Sequence, residues 1–178
     1  IHPIFLKQCH KQLAVPLSLI FNASLRKGIM PSIWKQSTVV PIFKSGDKHN
    51  IANYRGISKL STIPKLFEKI IYDSLFPAIR PLIVPNQHGF ITGRSTESNL
   101  CEFLDLTLCA MEKGYQVDAV YTDFSKAFDK ISHNLLVSKL ENIGIHGDLL
   151  RWLTSYLRDR TQAVAIKGYT SSFIPITS

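Results

Sequence analysis

The run Val117-Asp118-Ala119-Val120-Tyr121-Thr122-Asp123-Phe124-Ser125-Lys126-Ala127-Phe128-Asp129 constrains this chain more than any other segment. Apolar and β-branched residues lead directly to a carboxylate, and an aromatic ring follows five positions later. The pattern predicts a buried central strand over Gln116 to Asp123, with Asp123 at its exposed end. The chain then turns, so that Phe128 roofs the space beside the carboxylate. An anionic oxygen placed this way can ligate a hard divalent cation, and the backbone carbonyl of Phe124 can add a ligand. An Asp after a strand, standing alone, more commonly closes a turn or caps a helix. The residues around it have to decide.

Length and charge set the outer limits. A chain of 178 residues is long enough for one substantial core or part of a larger one. Hydrophobic residues at 45% exclude a mainly disordered segment. Lys and Arg number 21 against 13 Asp and Glu, and an excess of +8 favours a polyanionic partner. Cys9, Cys101 and Cys109 form no C-x-x-C pair, so neither a disulfide framework nor a structural zinc site is expected, and a reducing compartment suits them. His2, His10, His49, His88, His133 and His146 are scattered without H-E-x-x-H spacing. The apolar stretch from Leu13 to Phe21 is too short to span a bilayer, and no secretory leader pattern is visible. The chain starts at Ile1 and stops after the strand-like run Phe173 to Thr177, so it is expected to be a piece of a longer frame.

The order of elements suggests α+β rather than a doubly wound sheet. Residues 3 to 27 read as two helical pieces, with Pro16 at the start of the second and Gly28 as its stop. Lys35 to Phe43 and Tyr54 to Leu60 read as the stems of a hairpin around a polar loop. Helices are expected from Ile63 to Ile79, from Ser98 to Glu112, from Ser132 to about Asn142, and again to about Arg158. Gln162 to Ile166 and Ser172 to Ile176 read as a closing hairpin pair.

Two further constellations flank the Asp123 run. Lys44 and Arg55 sit on the hairpin stems; Lys44 can neutralise phosphate as a point charge, and Arg55 can offer a fork of donors and a flat face. The ordinary reading of an isolated surface Lys and Arg is two solvated cations. Gln87-His88-Gly89-Phe90-Ile91-Thr92-Gly93-Arg94-Ser95-Thr96 joins two glycines to three donors, Arg94, Ser95 and Thr96, at a helix start. Capping the helix is the ordinary role of Ser95 or Thr96, and it is compatible with touching phosphate. Asp129 is read as ordering a turn rather than as a metal ligand. Lys126, Lys130 and Lys139 are read first as a solvated face.

Together, in this order, these segments resemble the reverse transcriptases of non-LTR (LINE-type, jockey-like) retrotransposons. The Asp123 run resembles their D-x-x-K-A-F-D motif. Trp34-Lys35, Val39 to Asp47 and Asn53 to Ser58 resemble their fingers segment, and Gln87 to Thr96 their Q-x-G-F…G-R-S-T segment. Gly56 stands where relatives usually carry Pro, Lys59 where they carry Leu, and Ile91-Thr92 where many carry a basic pair.

The resemblance implies an α+β fold, the fingers and partial palm of a right-hand polymerase, truncated before the rest of the palm. Residues 1–34 would be N-terminal helices, 35–115 the fingers and fingers–palm helices, and 116–178 the first part of the palm. It implies RNA-directed DNA synthesis with two Mg²⁺ ions, an RNA template, a DNA primer and dNTP, with no membrane partner. Asp123 would be the catalytic metal ligand, joined by the Phe124 carbonyl. Lys44 and Arg55 would bind dNTP, Phe128 would gate the sugar, and Arg94, Ser95 and Thr96 would hold nucleic acid. The compartment implied is intracellular, the nucleus. The family's G-x-P-Q-G-S and A-D-D motifs do not occur here, nor does any Asp-Asp pair. This chain alone is therefore expected to lack activity without the missing C-terminal half of the polymerase domain. A non-catalytic nucleic-acid-binding module and the remnant of a decayed element are the alternatives.

Overall fold

The computed structural model describes residues 1–176; the expected end of the last strand-like run, at Thr177, and Ser178 lie outside the described residues. Six α-helices and five strands follow in the order α1 Pro3–Gln8, α2 His10–Lys27, β1 Gln36–Phe43, β2 Tyr54–Lys59, α3 Thr62–Ile79, α4 Thr96–Glu112, α5 His133–Asn142, α6 Gly147–Leu157, β3 Thr161–Ile166, β4 Tyr169–Thr170 and β5 Ile174–Pro175. Two compact units divide them: Ile1–Asp73 with Ala127–Ser178, and Ser74–Lys126.

The first unit holds a mixed sheet. β1 pairs antiparallel with β2, from Thr38 opposite Lys59 to Phe43 opposite Tyr54. On its other side β1 pairs parallel with β3, from Gln36 opposite Thr161 to Val39 opposite Val164. β3 in turn pairs antiparallel with β4 at its end and with β5 at its start. The expected closing hairpin therefore forms, with the short β4 interposed.

Four aromatic rings make the core of this unit. Phe21 of α2 stacks on Phe67 of α3 at 4.3 Å, Trp34 meets both edge-on at 6.0 Å, and Trp152 of α6 meets Phe67 at 4.9 Å. Phe67 and Trp152 are fully buried. Burying an indole obliges its N–H to find an acceptor, and Trp152 Nε1 donates to Ser24 Oγ at 2.9 Å. Ser24 Oγ in turn donates to the Ile29 carbonyl at 2.6 Å. Gly28 ends α2 in the left-handed region at φ 64°, and a Cβ there would lie 2.7 Å from Arg151 Cβ. Glycine both stops the helix and lets α6 come close.

One boundary differs from expectation. Pro16 lies inside α2 rather than at the start of a second helix, and the break falls at Cys9. The Cys9 N–H closes α1 onto the Phe5 carbonyl at 2.9 Å. Pro16 withholds its donor from the Gln12 carbonyl, but both residues are exposed, so that group is open to solvent.

The second unit contains the end of α3, a 3-10 turn at Arg80–Leu82, a loop and α4. Ser95 caps α4, accepting from the Ser98 N–H at 3.2 Å, while Ser98 Oγ accepts from the Ser95 N–H at 3.0 Å. Beyond α4 lies the main correction. Residues 116–123, expected to be the buried central strand, form no strand and are mostly exposed: Val120 is 87% and Tyr121 84% accessible. Their internal links are a Gln116 Nε2 to Asp118 Oδ1 hydrogen bond at 2.9 Å and a tilted contact of the Tyr121 and Phe103 rings at 6.3 Å. β-Propensity expresses fit to a neighbouring pleated strand, and no described strand pairs with this segment.

Candidate nucleic-acid interface

The β1–β2 hairpin carries the phosphate-binding candidates, and its loop is held by its own polar groups. The Lys44 N–H donates to the Asn53 carbonyl at 2.8 Å, continuing the ladder one step past the strands. Asp47 Oδ1 accepts from the His49 N–H at 2.9 Å, and Asn53 Nδ2 donates to the Asp47 carbonyl at 2.9 Å. Tyr54 Oη donates to the Lys48 carbonyl at 2.9 Å, and its ring meets Phe43 at 5.5 Å. A loop pinned this way presents its stems in fixed register.

That register decides which side chains share a face. Opposed residues of an antiparallel pair point the same way, and successive residues alternate. Thr38 faces Lys59, Val40 faces Ile57 and Ile42 faces Arg55, so Lys59 and Arg55 lie on one side of the hairpin. Lys44, one ladder step beyond Phe43, joins them. Lys59, noted in the sequence only as a departure from Leu, thus adds a third cation to the face of Lys44 and Arg55. The signal available earlier was parity, since 55 and 59 are an even number of residues apart on one strand.

Phe128 is not on that face. It borders a groove of about 750 Å³ over the other side of the sheet, with Val39, Gly56 and Ser58 of the hairpin and Gln162 and Val164 of β3. The structure therefore gathers Lys44, Arg55 and Lys59, and separates Phe128 from them.

The remaining candidates belong to the second unit, where their donors are engaged internally. Arg94 Nη1 donates to the carbonyls of Pro85 and Gln87, the latter at 3.1 Å, and so clamps its own loop. Ser95 is the helix cap described above. Glu97 follows in the first turn of α4, its carboxyl held below the ordinary value by the Ser95 hydroxyl, then by its own amide and the Thr96 hydroxyl. His88 is buried, with Nδ1 3.1 Å from the Asn86 carbonyl and Nε2 3.4 Å from Glu102 Oε1. Asp123 and Phe124 are exposed, on the irregular segment after α4.

Among the described residues no group of three or more His, Cys, Asp or Glu side chains could hold an ion. One exposed carboxylate at Asp123 does not overcome the mutual repulsion of two divalent ions. The residues present do not make a two-ion site by themselves.

A second electrostatic signal went unread in the sequence. No Asp or Glu precedes Asp47, while Lys7, Lys11, Arg26, Lys27, Lys35 and Lys44 do. Most of the +8 excess is therefore carried by the N-terminal helices and β1. Lys35 is buried, 4.0 Å from Asp159, and the other five are exposed. No helix among the described residues is long and apolar enough to cross a membrane.

Comparison with known proteins places a family model, Reverse transcriptase (RNA-dependent DNA polymerase), on residues 44–177. The chain is similar to the probable RNA-directed DNA polymerase from transposon BS of Drosophila melanogaster, 32% identical over 155 residues. It is equally similar, 32% over 166 residues, to the RNA-directed DNA polymerase from mobile element jockey of the same species. Similarity extends to the Pol polyprotein of retrotransposable element R2 of Popillia japonica, 29% over 144 residues. These alignments take in 85%, 91% and 80% of this chain but 17%, 18% and 20% of the respective relatives. The chain thus spans about a fifth or less of the length of the relatives it matches.

Proposed function

The chain belongs to the reverse transcriptase (RNA-dependent DNA polymerase) family, and on that footing we propose that it supplies part of the nucleotide- and template-binding half of an enzyme copying RNA into DNA. It is a fragment of the reverse transcriptase domain of a non-LTR retrotransposon polymerase. One observation carries the proposal: the family match from 44 to 177 takes in the Lys44–Arg55 hairpin, the Gln87–Thr96 loop and the Asp123 run in family order.

The chemistry assigned to each residue follows from its side chain. Lys44 and Arg55, with Lys59 farther along the same face, neutralise the polyphosphate of an incoming dNTP or the backbone of the template. Reverse transcriptases use divalent metal ions, and we take the ion here to be Mg²⁺, with Asp123 and the Phe124 carbonyl as the ligands this chain contributes. The other carboxylates have to come from outside the residues present, since no Asp-Asp pair occurs here. Lys59 joins the residues that act on phosphate, and Phe128 keeps its proposed role as the gate for the sugar.

The test is a chimera in which these 178 residues replace the matching stretch of the jockey polymerase, assayed for primer extension on RNA. Synthesis is expected, and Asp123→Asn abolishes it; a variant that still extends sinks the metal-ligand role. The acid-free N-terminal segment favours a second reading, a non-catalytic nucleic-acid-binding module. Salt-dependent RNA binding by the isolated chain together with an inactive chimera would select it.

A further inference from the structure

A groove between α2 and α3, with a volume of about 400 Å³, is lined almost wholly by apolar groups. Leu13, Leu17 and Leu25 of α2 and Leu66 and Ile70 of α3 surround the ring of Phe21, which is buried against Phe67. Along α2 the lining runs from His10 to Leu25, about 22 Å at the helical rise per residue. A trough of this shape takes the apolar stripe of a helix laid along it.

The α2 rim of this groove is cationic. Lys11 lies three residues before the lining residue Ala14, and Arg26 four residues after Asn22, so both stand beside the trough. Both are exposed, and neither makes an ion pair among the described residues. Neither α1 nor α2 carries an Asp or Glu. On α3 the neighbouring Lys69 is already paired with Asp73 and adds no net charge. Such a rim favours an acidic occupant.

The chain itself carries a helix of that description. In α4, Leu100, Leu104, Leu108 and Met111 follow one another at spacings of four, four and three, a single stripe about 16 Å long, and all are exposed. The helix holds Glu97, Glu102, Asp105 and Glu112 and no Lys or Arg. Glu97 precedes Leu100 by three residues and Glu112 follows Leu108 by four, so acids flank the stripe at both ends. Lys11 and Arg26 are fifteen residues apart on α2, and Glu97 and Glu112 are fifteen apart on α4. A copy of α4 laid antiparallel along α2 brings Glu97 to Arg26 and Glu112 to Lys11 together. That orientation also sets the positive end of each helix beside the negative end of the other.

We infer that the α2–α3 groove of one copy of this chain takes α4 of a second copy, its apolar stripe inward and its acids on the cationic rim. The contact is separate from the proposed part in copying RNA and needs no nucleic acid.

Sedimentation velocity on the nuclease-treated 178-residue chain, over a concentration series at low and high salt, is the test. The mean mass should rise above that of one chain with concentration, and added salt should weaken the association. Lys11→Glu with Arg26→Glu should weaken it about tenfold or more, and so should Glu97→Lys with Glu112→Lys. All four reversals in one chain should restore it, with circular dichroism melts confirming that each variant is folded. A single-chain mass at every concentration overturns the inference and leaves the groove to a different partner. Association that either pair of reversals leaves unchanged runs through another surface and overturns it too. A folded fourfold variant that stays monomeric overturns the charge pairing on which the inference rests. None of these outcomes bears on primer extension by the chimera, so the two readings fail independently.

Discussion

The sheet of the first unit and the segment 116–124 of the second are written in the same residues and end differently. β1 reads Gln-Ser-Thr-Val-Val-Pro-Ile-Phe, and the segment leading to Asp123 reads Gln-Val-Asp-Ala-Val-Tyr-Thr. The first is a strand with a partner on each side; the second is irregular and exposed. Among the described residues, the first unit holds every buried side chain except His88. The difference teaches that an apolar β-branched run is only a disposition, which a neighbouring strand or a facing helix turns into structure.

Amide exchange separates the two regions by the widest margin. The Val39 and Val40 N–H groups should be protected about a thousandfold or more over Val120 and Tyr121, because local opening of an unladdered segment costs almost nothing against a global stability of roughly 5 kcal/mol. Equal protection would show that 116–124 is a strand after all. Side-chain deletion follows. Trp152→Ala should cost about 3–5 kcal/mol in urea unfolding, through a cavity and the lost partner of Ser24, whereas Tyr121→Ala should change stability by less than about 0.5 kcal/mol. A large loss from Tyr121→Ala would erase the contrast.

Backbone strain gives a smaller effect. Gly28→Ala puts a Cβ at a positive φ and against Arg151, and about 1–3 kcal/mol should be lost in the same unfolding assay. An unaltered urea midpoint would mean that α2 and α6 yield without cost.

The smallest effect is on pH. Burial raises the Glu68 carboxyl above its ordinary value, outweighing the Tyr156 hydrogen bond and then the Arg160 and Lys65 charges. The folded state therefore binds that proton more tightly than the unfolded state, so this contribution is complete below the unfolded pKa of 4.5 and is lost as pH rises through the folded one. Tyr156 is pushed up to about 12, by burial first and the Glu68 charge second, and its contribution is lost as pH rises through that value. Glu68→Gln should flatten the fall in the urea midpoint that accompanies a rise in pH through the folded pKa, and a fall that persists in the variant would assign it to another group.

Local signals were the legible ones. Ser95 and Ser132 cap the helices they announce, Gly28 ends α2, and α3 follows its three- and four-residue apolar spacing. The β1–β2 hairpin was legible because two β-rich runs flank turn chemistry. Pro16 misled, since a proline whose orphaned carbonyl reaches water can stay inside a helix. What the sequence did not show of Arg94 is that its Nη1 turns back onto the carbonyls of Pro85 and Gln87.

The sequence by itself determined the family, through three motifs in order, and with it the α+β class, the excess of positive charge and most element boundaries. Those properties depend on residue identity and short spacings, which need no distant partner. Only the tertiary structure decided that Lys59 joins Lys44 and Arg55, that Phe128 faces a groove on the opposite side of the sheet, and that the Asp123 segment carries no ladder. Each depends on which strand lies beside which and in what register, and pairing between distant segments is set by the packing of the whole unit.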